Sequence, residues 1–208
     1  MARKRDTRTL ILDAAEALFS ERNFEAVSIR EITGKAGVQL GLASYHFKNK
    51  QALFEEVIAR RAELLNQRRR DRLRAIQLKG DATVEQILVA FIRPYVEFCL
   101  EPEQGWRHYS RLIAQAAQDD QWLPTIERHF NTTAAIFADA LYEALPDTPR
   151  DAVLRAFMFS IQIMVSAFAN NRRIEALSHG TITAGDLEAS FTSLIPFLSG
   201  GFAGLPSR

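Results

Sequence analysis

Apolar positions in the first segment fall at Leu10/Ile11, Ala14/Ala15 and Leu18/Phe19, the three-and-four spacing of a helix that buries one face. This helix ends near Arg22-Asn23, where Asn23 is expected to turn left-handed and Phe24 to return to the core. Ser28, with Glu31 three residues on, forms a Ser-x-x-Glu capping box that starts a second helix running to about Ala36. Gly37 supplies a tight turn with Val38 anchored beneath it, and a third helix begins at Gln39. The stretch Gln39 to Phe47 is too short to build a core. It carries polar and aromatic groups where a purely structural helix would be plainer, so it reads as presented rather than buried. Asn49 is placed to cap a long fourth helix through Leu53, Phe54, Val57, Ile58, Leu64 and Leu65 to about Gln77. Its arginines 68, 69, 70 and 72 read as a solvated face.

Lys79-Gly80-Asp81 interrupts the pattern, which then resumes with Val84, Ile87/Leu88, Phe91, Tyr95 and Phe98 on one stripe and Pro94 as a kink. Further helices are expected from Gln104 to Ala117 and, after a break near Asp119-Asp120, from Pro124 to Leu145. The last two run from Asp151 to Asn171 and from Ala184 to Phe202. Strand alternation and internal repeats are not found, so the fold class is all-α. The run from Ala156 to Ala169 is nearly continuous in apolar residues and needs neighbours on every side. A second copy of the chain is one source of them, which places Phe168, Leu194 and Leu198 at a homodimer interface formed by the last two helices.

Composition adds exclusions. At 208 residues, with 47% hydrophobic and 25% charged positions, the chain has ordinary globular values. It shows no run of about 20 apolar residues, and the start MARKRDTRTL lacks the apolar region of a signal peptide. A cytoplasmic protein with no membrane partner is expected. A single cysteine, Cys99, excludes internal disulfides and cysteine-based zinc sites, and its place on an apolar stripe reads as a buried, inert thiol. The formal charge of +1 hides a division: residues 1–79 hold 17 Lys+Arg against 10 Asp+Glu, net +7, and residues 80–208 hold 9 against 15, net −6. A basic part ahead of an acidic one points to nucleic acid as partner of the first part.

Candidate chemistry is sparse. His46, His108, His129 and His179 lack the i, i+4 spacing of a helical metal site. No serine-nucleophile elbow, phosphate loop or dinucleotide fingerprint occurs, so no cofactor and no catalytic residue is expected. Fifteen of the twenty aromatics follow Gly80. A pocket lined by Trp106, Tyr109, Arg111 and Phe137 would suit a small, largely apolar effector, with Arg111 able to pair with an anionic group.

Two short helices joined through Ala36-Gly37-Val38 fit the helix-turn-helix plan, in which the second helix enters the DNA major groove. A longer string carries a more specific signal: Ile11 to Phe19 (ILDAAEALF), Val27 to Ile32 (VSIREI), Ala36-Gly37-Val38, Tyr45-His46-Phe47 and Lys48 to Leu53 (KNKQAL), in that order. In this string the chain resembles the tetracycline-repressor (TetR) family of transcription regulators. The resemblance covers residues 7 to about 60 and implies a helix-turn-helix domain at 5–65, with the motif at about 28–47, and a helical effector-binding and dimerisation domain at 66–208. It further implies a ligand-responsive repressor that acts as a homodimer on a near-palindromic DNA operator. By position, Ser28 would cap the second helix and face a phosphate, Gln39, Leu40, Leu42 and Ser44 would lie toward base edges, and Tyr45, His46 and Lys50 would hold the backbone.

Physical chemistry adds to this. Gly41 leaves room for close approach, Lys48 and Lys50 add counterion-releasing charge, and Gln39 is suited to an adenine edge. Leu40 is expected to be exposed toward a thymine methyl, while core and DNA readings of Leu42 stay open. Three positions depart from the common family pattern. Asn23 replaces a glycine. Gly34 lies inside the second helix at a cost of roughly 1 kcal/mol against alanine, with close packing on the third helix as the expected reason. Ser44 stands where tyrosine is usual, with Tyr45 beside His46. The rival readings are a helical protein-interaction module and a small helical enzyme, neither with DNA specificity.

Overall fold

A computed structural model describes residues 6–101, 105–169 and 172–207. The expected helix start at Gln104, helix end at Asn171 and domain start at Arg5 lie outside them. The chain begins with α1 (Thr7–Glu21), capped by the Asp6 carboxylate accepting from the Thr9 N–H. Its inward stripe includes Ile11, Leu12, Ala15 and Phe19. Asn23 is not left-handed: its φ is −57° and ψ 153°, and the chain reverses instead through a 3-10 turn, Phe24–Ala26. Lys50 holds that turn, its Nζ donating to the carbonyls of Phe24 (2.9 Å) and Val27 (3.0 Å).

The capping box at the start of α2 (Ile29–Ala36) is present on both sides. The Ser28 hydroxyl accepts from the Glu31 N–H, and the Glu31 carboxylate accepts from both the Ser28 N–H and hydroxyl. These bonds, led by the one from the Ser28 hydroxyl, and the neighbouring Arg22 hold the Glu31 carboxyl at about 2. A carboxyl depressed by folding stabilises the native state above its unfolded pKa and loses that contribution as pH falls toward the folded value. Ser28→Ala is expected to cost about 1 kcal/mol near neutral pH. The gap between its melting temperature and that of the parent should narrow as pH falls from about 4.5 to about 2. A gap that stays constant across that window would rule out the Glu31 linkage.

Gly37 closes α2 in the left-handed region, φ 67° and ψ 31°, as a residue without a Cβ does most easily. The turn leads through Gln39 into α3 (Leu40–His46), which Ala43 and the following Phe47 anchor to the core. Gly34 does not pack closely on α3: a Cβ there would meet nothing within 4 Å. The Asn49 side chain accepts from the Ala52 N–H and starts α4 (Lys50–Gln77), which runs without a break past residue 65. Its buried stripe of Ile58, Ala62, Leu65, Arg69 and Leu73 spans both halves of the molecule.

The second half is built from α5 (Val84–Leu100), α6 (Trp106–Ala116), α7 (Leu123–Ile126), α8 (Thr132–Ala144), α9 (Arg150–Phe168), a short α10 (Arg173–Leu177) and α11 (Leu187–Ala203). Pro94 sits inside α5 without ending it. The single helix expected from Pro124 to Leu145 is interrupted by a π-helical turn at Glu127–Asn131. The Asn66 side chain of α4 donates to the His129 carbonyl in that turn (2.6 Å). α10 stands where the sequence pattern reads as a loop before α11. At 19 residues and mean hydropathy 1.4, α9 is long and apolar enough to cross a membrane, against the expectation that no stretch is. In the fold its Val153, Phe157, Met164 and Phe168 are buried against neighbouring helices.

The arginine run in α4 is not a solvated face. Arg69 is 3% exposed. Arg70 donates to Thr133 and Glu63, and Arg72 reaches Glu97 at 2.7 Å. Cys99 is buried, and loss of solvation pushes its thiol up to about 12, as an inert core cysteine requires.

Candidate DNA interface and effector cavity

Helix α3 turns Ala43 inward and leaves its other side open. Leu40 is 52% and Tyr45 81% exposed, large side chains that none of the described residues covers. Gln39, Gly41, Ser44 and Lys48 lie on the same exposed surface, with Leu42 and His46 half-buried at its edge. Tyr45 stands edge-on to His46, ring centroids 5.0 Å apart. A Cβ at Gly41 would meet nothing, so the free chain itself does not demand glycine there. Lys50 is placed differently from the expectation that it holds a DNA backbone. Its ammonium is engaged by two carbonyls and sits 4.1 Å from the Phe24 ring centroid, so it braces the turn beneath the helix-turn-helix. The Ser28 hydroxyl is likewise committed to the capping box.

This head is bound to the helical body through polar and aromatic contacts. Glu16 of α1 is 2% exposed; its carboxylate accepts from Arg60 (2.9 Å) and, through both oxygens, from Arg61 (2.5 and 2.7 Å). Arg61 also stacks over the Trp106 ring, which lies against Phe98 with centroids 4.2 Å apart. Gly105, φ 69°, closes this cluster: a Cβ there would come within 2.6 Å of Glu16 Oε1 and 2.8 Å of Arg61 Nη2. On the other side Trp122 packs against the Phe24–Phe54 pair, 4.8 and 4.1 Å from their centroids. The Tyr109 hydroxyl donates to the Ile58 carbonyl of α4 (3.0 Å).

A cavity of about 340 Å³ lies between α4, α5, α6, α9 and the π turn, within the range of about 300–1,000 Å³ usual for small-molecule sites. Phe91, Ile113, Phe130 and Val165 give it apolar walls, Arg69 and Tyr95 line it, and the exposed Asp119, Asp120 and Glu127 stand on its lining too. Of the four residues expected here only Tyr109 lines it. Trp106 is fully buried under Arg61, and Phe137 is core against Phe91. Arg111 borders a separate, more open groove with Ser20 and Gln115. Apolarity identified these side chains as interior; it could not say which neighbours they meet.

The sequence matches two family models: one described as bacterial regulatory proteins of the tetR family, over residues 11–57, and one as the tetracyclin repressor-like C-terminal domain, over residues 89–201. The chain belongs to the TetR family. It is a helix-turn-helix DNA-binding transcriptional regulator. It is 27% identical over 172 residues to the transcriptional regulator UidR of Escherichia coli K12, covering 74% of this chain and 87% of that one. Among solved structures it is similar to the fatty acid degradation regulator FadR of Bacillus halodurans, with a TM-score of 0.69, 15% identity, and 99% and 100% of the two chains covered. A FadR of Bacillus subtilis in complex with stearoyl-CoA matches with a TM-score of 0.67 and 14% identity over 93% of this chain and 98% of that one. At these identities the structural likeness shows the shared fold alone.

In this TetR-family chain the three side chains expected at a dimer interface are intramolecular. Phe168, Leu194 and Leu198 are 2%, 7% and 5% exposed within one copy. The outward faces of the same two helices carry other apolar groups: Leu154, Met158 and Phe159 on α9, and Phe197 on α11. Arg69, Glu16 and Gly105 were not singled out from the sequence. For Arg69 the signal was available, since it falls four residues after Leu65 and four before Leu73, on the buried phase of α4.

Proposed function

We propose that this regulator acts as a homodimeric, effector-responsive repressor, with residues 5–65 on DNA and residues 66–208 holding the effector and the partner subunit. The exposed face of α3 carries the DNA part of this reading: Gln39, Leu40, Gly41, Leu42 and Ser44 toward bases, and Tyr45, His46 and Lys48 toward the backbone. Ser28 and Lys50 support that surface from beneath, by capping α2 and bracing the Phe24 turn. The effector occupies the cavity beside α4. That helix carries Phe54 and Ile58 in the head and Leu65 and Arg69 on the cavity, so filling the cavity shifts the helix that positions the head. The complex of a similar fold with stearoyl-CoA supports a ligand-responsive reading of this body. A protein of this kind works in the cytoplasm.

Fluorescence anisotropy on the DNA upstream of its own gene and on a scrambled duplex, across a salt series, tests the reading. Preference for the upstream duplex by orders of magnitude is expected for a specific regulator. Lys48→Ala should weaken both duplexes alike and reduce the salt slope by about one, the value of one phosphate contact. Lys50→Ala should leave the slope unchanged and lower thermal stability, because two part-buried carbonyls lose their donor. Equal, weak binding to both duplexes, with no response to Lys48→Ala, would remove α3 as the DNA-reading element.

A further inference from the structure

Arg69 is the feature of the cavity that stability alone does not explain. Its guanidinium is buried, and its hydrogen bonds among the described residues go to the Phe91 carbonyl (2.8 Å) and, weakly, to Met164 Sδ (3.6 Å). The Phe91 ring covers one face, 3.8 Å from the guanidinium carbon to the ring centroid. No carboxylate among the described residues pairs with it, although arginines 60, 61, 70, 72 and 93 of the same region all do. An unpaired buried cation is expensive in a low-dielectric site. Burial lowers its pKa to about 9, which still leaves it charged at neutral pH. Beside it Tyr95 lines the same cavity; among the described residues its buried hydroxyl makes no hydrogen bond of normal geometry, its interaction with the Ser110 side chain being a weaker one. A cation without a counter-charge and a weakly engaged hydroxyl thus stand at one apolar chamber, and the partner that the cation lacks is an anion.

We infer that the effector is an amphipathic monoanion, an apolar body bearing one carboxylate, whose carboxylate pairs with Arg69 and accepts from the Tyr95 hydroxyl while the body lies against Ile113, Phe130 and Val165. This deepens the effector reading above and rests on it for the site. The charge pattern sets the orientation. Asp119, Asp120 and Glu127 repel negative charge left outside, and Arg69 attracts it inside, so the acid enters head-first. The same three carboxylates oppose a coenzyme A thioester, which has no free carboxylate for Arg69 and would leave its phosphates near them. Arginine suits the role because it stays charged when buried, and with Nε held by the Phe91 carbonyl its Nη1 and the weakly engaged Nη2 are left to meet a carboxylate.

Calorimetric titration of the intact protein with decanoate, decan-1-ol and decanoyl-coenzyme A, and with 1-naphthoate against 1-naphthol, tests this. At least one of the two acids should bind 30-fold or more tighter than its alcohol, and decanoate tighter than the thioester. Arg69→Met, which replaces the cation by an apolar side chain of similar length, should bring the acid-to-alcohol ratio to one or below. Equal binding of acid and alcohol to the parent protein would overturn the inference. So would tighter binding of the thioester, a preference that survives in folded Arg69→Met, or no binding of any acid. Should Arg69→Met not fold, the comparisons on the parent protein decide alone. Operator anisotropy run in parallel separates the two readings. Acid binding that leaves DNA affinity unchanged refutes the effector reading and keeps the anion site, whereas DNA binding without any acid preference refutes the anion site alone.

Discussion

Glu16→Ala is expected to be among the most destabilising single substitutions in this protein, at about 3–5 kcal/mol, because it removes a buried carboxylate and leaves the largely buried Arg61 without its counter-charge, while Arg60 keeps only Asp13. Three features raise it above an ordinary ion pair. The carboxylate is 2% exposed, so solvent cannot replace it. Arg61 approaches both of its oxygens and is itself confined between Glu16 and the Trp106 ring. The three partners come from α1, α4 and the start of α6, so the cluster joins the DNA-binding head to the body. In a chain of this size each kcal/mol is worth about 2–4 °C, giving a fall of roughly 6–20 °C in melting temperature by calorimetry. Gly105→Ala should act in the same direction, since its Cβ would press on both Glu16 Oε1 and Arg61 Nη2 from a left-handed backbone. The Arg8–Glu56 pair offers a control: both side chains are more than a third exposed, and Arg8→Ala is expected to change stability by less than about 1 kcal/mol. A loss for Glu16→Ala no larger than that control would show that the cluster contributes nothing beyond a surface pair.

The contrast between these residues shows what a linear sequence makes readable. The caps at Ser28 and Asn49 and the turn at Gly37 were legible because their partners lie within three or four residues, where hydrogen-bond geometry follows from spacing alone. The presented face of α3 was legible for a related reason: Leu40 and Tyr45 stand on a helix too short to bury both sides. Asn23 misled because a residue that tolerates the left-handed region need not adopt it; Lys50, distant in sequence, braces the turn instead. A run of four arginines within five positions reads by charge as a solvated face, whereas the helical phase set by Leu65 and Leu73 assigns Arg69 to the interior. Glu16 and Gly105 could not have been linked before folding, since no local pattern connects a glycine to a carboxylate from another helix. The dimer residues failed in a different way: apolar character marks α9 and α11 as having two apolar faces, and only the packing tells which face the chain keeps for itself.

That packing relocates the test of the dimer. Phe159 and Phe197 are 64% and 67% exposed, and on α11 Phe197 is followed by Gly200 and Gly201, which let a partner helix come close. Phe159→Glu combined with Phe197→Glu is expected to leave the helical content and melting of the subunit nearly unchanged, because neither ring is part of the core. Light scattering should then give the mass of one chain. Operator binding should fall by about 10²–10⁴, the advantage lost when two recognition helices are no longer held across half-sites one helical turn, about 34–36 Å, apart. Phe168→Glu, by contrast, places a charge at a 2% exposed site and should unfold the subunit rather than separate two subunits. A dimer that persists in the double variant would move the interface off this helix pair. It would also weaken the proposed route from effector to DNA, in which Met158, exposed on the outward face of α9 and also lining the cavity, would put the effector on one side of a helix turn and the second subunit on the other. With α9 at the interface, a ligand that displaces Met158 changes the angle between subunits and thereby the spacing of the two α3 helices.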